Sequence, residues 1–175
     1  KGFSPSSLTS YIRNPIDFYY QKLLGISNLE EVEETIAANT LGTVVHNTLE
    51  TLYIPFIGQT LNVDSLKSLI PKIDALITSF FKEEYKEGDM TKGKNLIVFE
   101  IAKRYVLNFL NLEIEALKNG DVIKIIALEA KVENVKINVD TLPFPIQLRG
   151  TVDRIDECNG VIRIIDYKTG KVDQS

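Results

Sequence analysis

The chain has 175 residues, 44% of them hydrophobic, and a formal charge of −4. That is enough apolar material for one domain with a buried core, and so small a net charge neither favours nor excludes a polyanionic partner. The one cysteine, Cys158, excludes an intrachain disulfide and argues against an oxidising compartment. Without a signal pattern or a run of about 18 apolar residues, a soluble, cytoplasmic protein with no membrane role is expected. Lys1 is not an initiator methionine and Ser175 follows closely on a strand, so a fragment of a longer protein is expected.

In chain order, Ser4-Pro5-Ser6-Ser7 reads as a helix entry, because serine caps the free amides and proline is tolerated in the first turn. Leu8, Tyr11 and Ile12 follow at helical spacing. Asn14-Pro15 interrupts, and a second short helix carries Phe18, Tyr19, Leu23 and Leu24 up to Gly25. Phe18 and the tyrosines are expected to pack rather than to stack on bases. The acidic stretch from Ser27 to Ala38 is expected to be a solvated loop or a short helix. Asn39 or Thr40 is expected to cap the next helix, whose buried stripe is Leu41, Val45, Leu49 and Leu52 and which Pro55 ends. His46, the only histidine, borders that stripe with Glu50. Taken alone, such a histidine reads as structural.

Asp64-Ser65 opens a further helix, with Pro71 breaking or kinking it. Lys82 to Gly93 reads as a loop. Lys94 to Lys118 is a long amphipathic helix with Phe99, Ala102, Val106, Phe109, Glu113 and Leu117 along one side, and no chemistry is expected in this middle region. From Val122 the residues become β-branched. Strands are predicted from Val122 to Val139, Ile146 to Ile155 and Val161 to Tyr167, with Asn159-Gly160 as the last turn. Three successive strands with no room for a crossover helix make an antiparallel meander. Alternation places Asp153 with Arg149, Thr151 and Ile155, and Asp166 and Lys168 with Ile162 and Ile164. Pairing the last two strands therefore gathers two carboxylates and an amine on an apolar sheet, a costly cluster that a divalent cation could settle. Arg154 and Asp156 face the other way and are expected to form a surface or structural ion pair. Glu129, inside the first strand, is expected to face outward, the alternative being a further acidic wall of the site.

Taken together, G-x-x-D-R-I-D at Gly150–Asp156 and I-I-D-Y-K-T-G-K at Ile164–Lys171 resemble the core of the PD-(D/E)xK nuclease superfamily, most closely its RecB/AddB-type exonuclease domains. Gly42-Thr43-Val44-Val45-His46 looks like the G-T-x-x-H helix of that family. Phe3 to Leu8, Tyr11, Pro15, Phe18-Tyr19-Tyr20 and Leu24-Gly25-Ile26 look like its N-terminal segment. A D-x-K triplet alone is nearly uninformative, whereas four ordered pieces are not.

The resemblance implies that Asp153 and Asp166 bind metal, that His46 is a further ligand and that the Tyr167 carbonyl supplies another. The implied cofactor is Mg²⁺ or Mn²⁺, since hard oxygen donors with one imidazole suit these ions, and Zn²⁺ is disfavoured without a cysteine pair or second histidine. With Asp153, Asp166 and Lys168 as the catalytic set, Lys168 is expected to stay protonated and to orient the attacking water. Thr169 and Lys171 are candidate phosphate contacts. Some relatives place a cysteine ligand of an iron–sulfur cluster where this chain has Asn14, so no such cluster is expected here.

The expected fold is α/β (α+β by segregation): a restriction-endonuclease-like core with N-terminal helices, truncated at its C-terminus. It is read as one partial domain over residues 1–175, mainly helical over 1–120, with a β-sheet part over 121–175 carrying the site. The expected function is hydrolysis of DNA phosphodiester bonds, as the exonuclease portion of a larger repair or recombination protein working with a helicase domain or subunit. The alternative is an inactive nuclease-fold module that binds DNA or a helicase partner.

Overall fold

The computed structural model describes residues 2–26, 38–84 and 92–170, which divide into two compact units. One comprises Lys1–Val32 and Ala130–Val152, the other Glu33–Glu129 and Asp153–Ser175. Helices come first in the chain and the sheet last, as the sequence predicts. The three strands β1 (Ile123–Ile137), β2 (Ile146–Cys158) and β3 (Val161–Ile165) lie side by side in chain order.

In the first unit, α1 (Pro5–Arg13) begins at Ser4, which forms a reciprocal capping box with Ser7. Asn14 closes α1 and caps α2 (Pro15–Phe18), accepting from the amides of Ile16 and Asp17. A π-helical turn over Tyr19–Leu23 follows, and Gly25 takes a φ of +69° just beyond it. Phe3 pairs with the start of β2, its amide donating to the Gln147 carbonyl at 2.8 Å and its carbonyl accepting from Arg149 N at 2.9 Å. Phe18 is buried as expected, but Tyr11, Tyr19 and Tyr20 are about half exposed. Tyr11 spends its ring on the edge of Phe18, 5.5 Å between centroids, and so small a helical pair has no interior for the remaining tyrosines.

The hydrophobic core lies in the second unit. There α3 (Ala38–Tyr53), α4 (Val63–Leu69), α5 (Ile73–Glu84) and α6 (Gly93–Lys118) pack on one another. Val44, Leu52, Leu66, Ile77, Val106 and Leu110 are fully or almost fully buried. The stripe read from α3 holds at Val45, Leu49 and Leu52, with Val44 added and Leu41 only half-buried. Asn39 and Thr40 lie within α3 rather than ahead of it. Asn62 is the cap of α4, accepting from Ser65 N at 2.8 Å. Pro55 and Pro71 each sit in a short 3₁₀ turn, at Ile54–Phe56 and Ile70–Lys72, where their missing amides cost nothing. The acidic loop expected after Ser27 falls outside the described residues, as does most of the loop before α6.

The start of β1 enters the same core through Ile123 and Ile125, and the segment after the first 3₁₀ turn hydrogen-bonds along it. β2 and β3 pair antiparallel from Arg154 opposite Ile165 to Cys158 opposite Val161. Their turn is Asn159-Gly160, both at positive φ (+53° and +84°), the geometry that sets a two-residue hairpin. β2 runs on to Cys158, three positions past its predicted end, because that turn keeps the ladder in register. β3 stops at Ile165 instead of Tyr167 because Tyr167 N turns away from the ladder to bond the Asp153 carboxylate. Asp166 and Lys168 thus stand on a non-regular segment rather than on the strand.

Candidate metal centre

His46 projects from α3 between buried Val45 and Leu49, which anchor the helix and leave the imidazole half-buried at the margin of the core. Its Nε2 lies 3.2 Å from Asp153 Oδ1 on β2 and 2.8 Å from Glu129 Oε1 on β1. One donor atom from each of the three lies within 4.8 Å of the other two. The second oxygen of Asp153, Oδ2, accepts the Tyr167 backbone N–H at 2.7 Å, which fixes the orientation of the carboxylate. All these residues belong to the second unit.

The outward orientation expected for Glu129 is therefore corrected: it is the acidic wall of the site. Its backbone leaves the extended region at φ +47°, in the middle of a strand. A left-handed glutamate costs about 1–2 kcal/mol, and such strain tends to persist where surrounding structure demands a particular side-chain direction. Simple alternation along β1 could not reveal that change of direction.

The electrostatics match the crowding. Burial pulls the His46 imidazole down, but Asp153 and Glu129 outweigh it and raise its pKa above the ordinary histidine value. Burial raises the Glu129 carboxyl, helped by Glu50 and Asp153, against the opposing pull of His46. Glu129 Oε1 is sealed from solvent yet makes no hydrogen bond of good geometry. An orphaned carboxylate oxygen beside an imidazole nitrogen and a second carboxylate is a donor set that fits Mg²⁺ or Mn²⁺. Neighbouring ligands in an octahedral shell with bonds of about 2.1 Å stand about 3.0 Å apart, and the observed separations of 2.8 and 3.2 Å straddle that value. The other ring nitrogen, Nδ1, is 3.5 Å from Asn47 Oδ1, leaving it to carry the proton when Nε2 acts as a ligand.

Asp166 and Lys168 form a pair of their own, with Lys168 Nζ 2.6 Å from Asp166 Oδ2 and both side chains more than half exposed. Asp166 is not one of the three converging donors. The segment bearing this pair passes close to α3 at Gly42, one turn ahead of His46, where an added Cβ would stand 3.3 Å from Thr169 Oγ1. Thr169 is half-buried, and Lys171 lies outside the described residues. Tyr167 between them turns its ring inward, edge-on to His46 and Phe109 at 6.2 and 5.3 Å, and burial raises its phenol to about 12.

Behind the site the expected pair of Arg154 and Asp156 is structural and wholly buried, not a surface feature. Arg154 Nη2 lies 2.6 Å from Asp156 Oδ2 and 2.6 Å from Glu113 Oε1 on α6. Glu113 also accepts the Tyr53 hydroxyl, and Asp156 is clasped from β3 by Arg163 Nε and Nη2 at 2.8 and 3.0 Å. Burial alone would lower the Arg154 pKa, but Glu113 more than compensates and holds the guanidinium charged. Glu113 had a signal in the sequence, a charged residue in the apolar stripe of α6, which requires a buried partner.

A family model for the PD-(D/E)XK nuclease superfamily matches residues 2–175, which is nearly the whole chain. Among curated proteins the chain is similar to an uncharacterized protein of Rickettsia conorii, 27% identical over 182 aligned positions, and to an uncharacterized protein of Rickettsia felis, 28% identical over 182. Each alignment covers 97% of this chain and 19% of the relative, so the chain spans about one fifth of the length of these relatives.

Proposed function

The chain belongs to the PD-(D/E)XK nuclease superfamily, with the helix-then-antiparallel-sheet arrangement of the restriction-endonuclease-like α/β fold, and on that premise we propose that it is a divalent-metal-dependent deoxyribonuclease. The observation that carries this reading is the convergence of His46 Nε2, Asp153 Oδ1 and Glu129 Oε1 on one point. We further propose exonuclease action, a cytoplasmic setting and a place in a larger DNA repair or recombination protein that works with a helicase domain or subunit. No helix among the described residues is long and apolar enough to cross a membrane.

In this reading His46, Asp153 and Glu129 hold Mg²⁺ or Mn²⁺, with Asp166 and the Tyr167 carbonyl as further proposed donors. The bound ion would supply Lewis-acid polarisation of a phosphate oxygen and a water of lowered pKa. Asp153 is oriented by the Tyr167 amide, which donates to its Oδ2 at 2.7 Å. Glu129 and Asp153 keep the Nε2 edge of His46 facing the same point. Lys168, restrained by Asp166, is the proposed group for orienting the attacking water and countering the charge that develops on phosphate. Thr169 and Lys171 are proposed to touch the DNA backbone, where contacts position the substrate without reading its sequence.

The test uses end-labelled single- and double-stranded DNA, with RNA of the same sequence, incubated with Mg²⁺, Mn²⁺ or EDTA. Metal-dependent release of mononucleotides or short products from DNA, lost in Asp166→Ala and Asp153→Ala, is the expected result. Cleavage that survives EDTA would overturn the metal assignment. Binding of DNA without cleavage under every condition would leave a nuclease-fold binding module instead.

A further inference from the structure

Among the described residues, the largest side chain with no solvent exposure is a charged one, Arg154. Stability does not account for it, because replacing a buried ion pair by apolar groups of similar volume is often neutral or stabilising. Placement gives a better account. Arg154 is the neighbour of Asp153 on β2, so its side chain leaves the opposite face of the strand. Tyr53 lies about two turns after His46 on α3. Both reach one carboxylate on a third element: Arg154 Nη2 donates to Glu113 Oε1 at 2.6 Å, and the Tyr53 hydroxyl donates to Glu113 Oε2. The guanidinium also lies over the Tyr53 ring, 4.6 Å from its centroid.

The two elements that carry His46 and Asp153 are therefore tied through the same pair of oxygens. Apolar side chains allow packed elements to slide by a fraction of an ångström, whereas two directional hydrogen bonds to one carboxylate, with the guanidinium stacked on the Tyr53 ring, do not. A second arm runs through Tyr167. Arg154 lies over the Phe109 ring, 5.9 Å from its centroid, Phe109 meets the Tyr167 ring edge-on at 5.3 Å, and the Tyr167 backbone N–H is the group that orients Asp153. The other buried anion, Asp156, is neutralised from β3 by Arg163 and does not depend on Arg154 alone.

Resting on the metal-centre reading above, we propose that Arg154, Glu113 and Tyr53 are positioning residues which set the distance between His46 and Asp153. They touch neither metal nor substrate, and they act by holding α3 and β2 at one offset against α6. Partners hydrogen-bonded directly to metal ligands typically contribute about 10–100-fold to metal affinity, and this clamp, one layer further back, is expected at the lower end of that range.

The test measures Mn²⁺ binding by calorimetry and by electron paramagnetic resonance in the full-length protein, alongside thermal unfolding without metal. Tyr53→Phe removes one hydroxyl and leaves the ring packing. The triple change Y53F/E113M/R154M removes every polar group of the clamp and leaves Asp156 with Arg163. Expected are a Mn²⁺ Kd raised several-fold in the first and about tenfold or more in the second, with the Mn²⁺ requirement for cleavage raised in parallel and activity recovering at saturating Mn²⁺. Wild-type Mn²⁺ affinity in the folded triple variant would overturn the proposal. If the triple variant does not fold, Tyr53→Phe decides by the same criterion. Failure of the wild-type protein to bind Mn²⁺ would instead overturn the metal-centre reading, so the two failures are distinguishable.

Discussion

Glu129 Oε1 stands 2.8 Å from His46 Nε2, and it does so from a backbone φ of +47° in the middle of a strand. The glutamate is strained where it is and useful where it points. Glycine at this position relieves the strain, whereas alanine keeps it. Glu129→Gly should therefore be more stable than Glu129→Ala by about 1 kcal/mol in urea unfolding, while both bind Mn²⁺ more weakly than wild type. Equal stability of the two variants would mean that the left-handed backbone is not held in solution.

Direct ligands should cost more than any residue behind them. His46→Ala and Asp153→Asn are expected to weaken Mn²⁺ by more than about 100-fold, beyond the 10–100-fold typical of outer partners. Asparagine is chosen because its amide oxygen can still accept the Tyr167 N–H while losing the charge. Calorimetric titration of both variants checks this. A Kd within tenfold of wild type for either would remove that residue from the ligand set.

Lys168 pairs with Asp166 at 2.6 Å, and Asp166 is not one of the three converging donors. Lys168→Ala should leave Mn²⁺ affinity unchanged and lower kcat for DNA cleavage by about 10²–10³, the usual cost of losing one donor aimed at developing charge. Near wild-type turnover in the variant would reject the role given to the lysine.

Glu113 is the shared acceptor for Arg154 and Tyr53, so its loss leaves the buried Arg154 only Asp156, an anion already held by Arg163. Glu113→Ala should destabilise the fold by about 3–5 kcal/mol. Glu113→Gln, which still accepts hydrogen bonds, should cost less. Chemical denaturation of the two variants against wild type measures the difference, and a cost below about 1 kcal/mol for alanine would mean that water reaches Arg154.

The hairpin turn offers a control away from the site. Asn159 holds a φ of +53°, and its side chain accepts Val122 N at 2.9 Å and donates to Asp121 at 2.8 Å. Asn159→Ala should cost about 1–2 kcal/mol of stability through the left-handed backbone and the lost bonds. Its Mn²⁺ affinity should be untouched. A large loss of metal binding in this variant would show that the ends of β2 and β3 influence the centre more than the contacts imply.

Much of the arrangement was legible from local chemistry. Ser4 and Asn14 announced the first two helices, Pro55 and Pro71 marked where helices give way to 3₁₀ turns, and Asn159-Gly160 marked the hairpin. Each depends on contacts within a few residues, which is the range over which sequence determines conformation. His46 and Asp153 were legible as a pair only through the family pattern, since nothing local joins a helix to a distant strand.

Other features had no local signature. Glu129 enters the site because its backbone leaves the extended region, which alternation along β1 cannot foresee. Arg154 and Asp156 read as a pair from their spacing, but their complete burial depends on Glu113, Tyr53 and Arg163 arriving from α6, α3 and β3. Local sequence therefore decided the elements and their order, and the family pattern singled out His46 and Asp153. Tertiary structure decided which carboxylates meet His46 and what stands behind them, because a charge is held in place by partners from elsewhere in the chain.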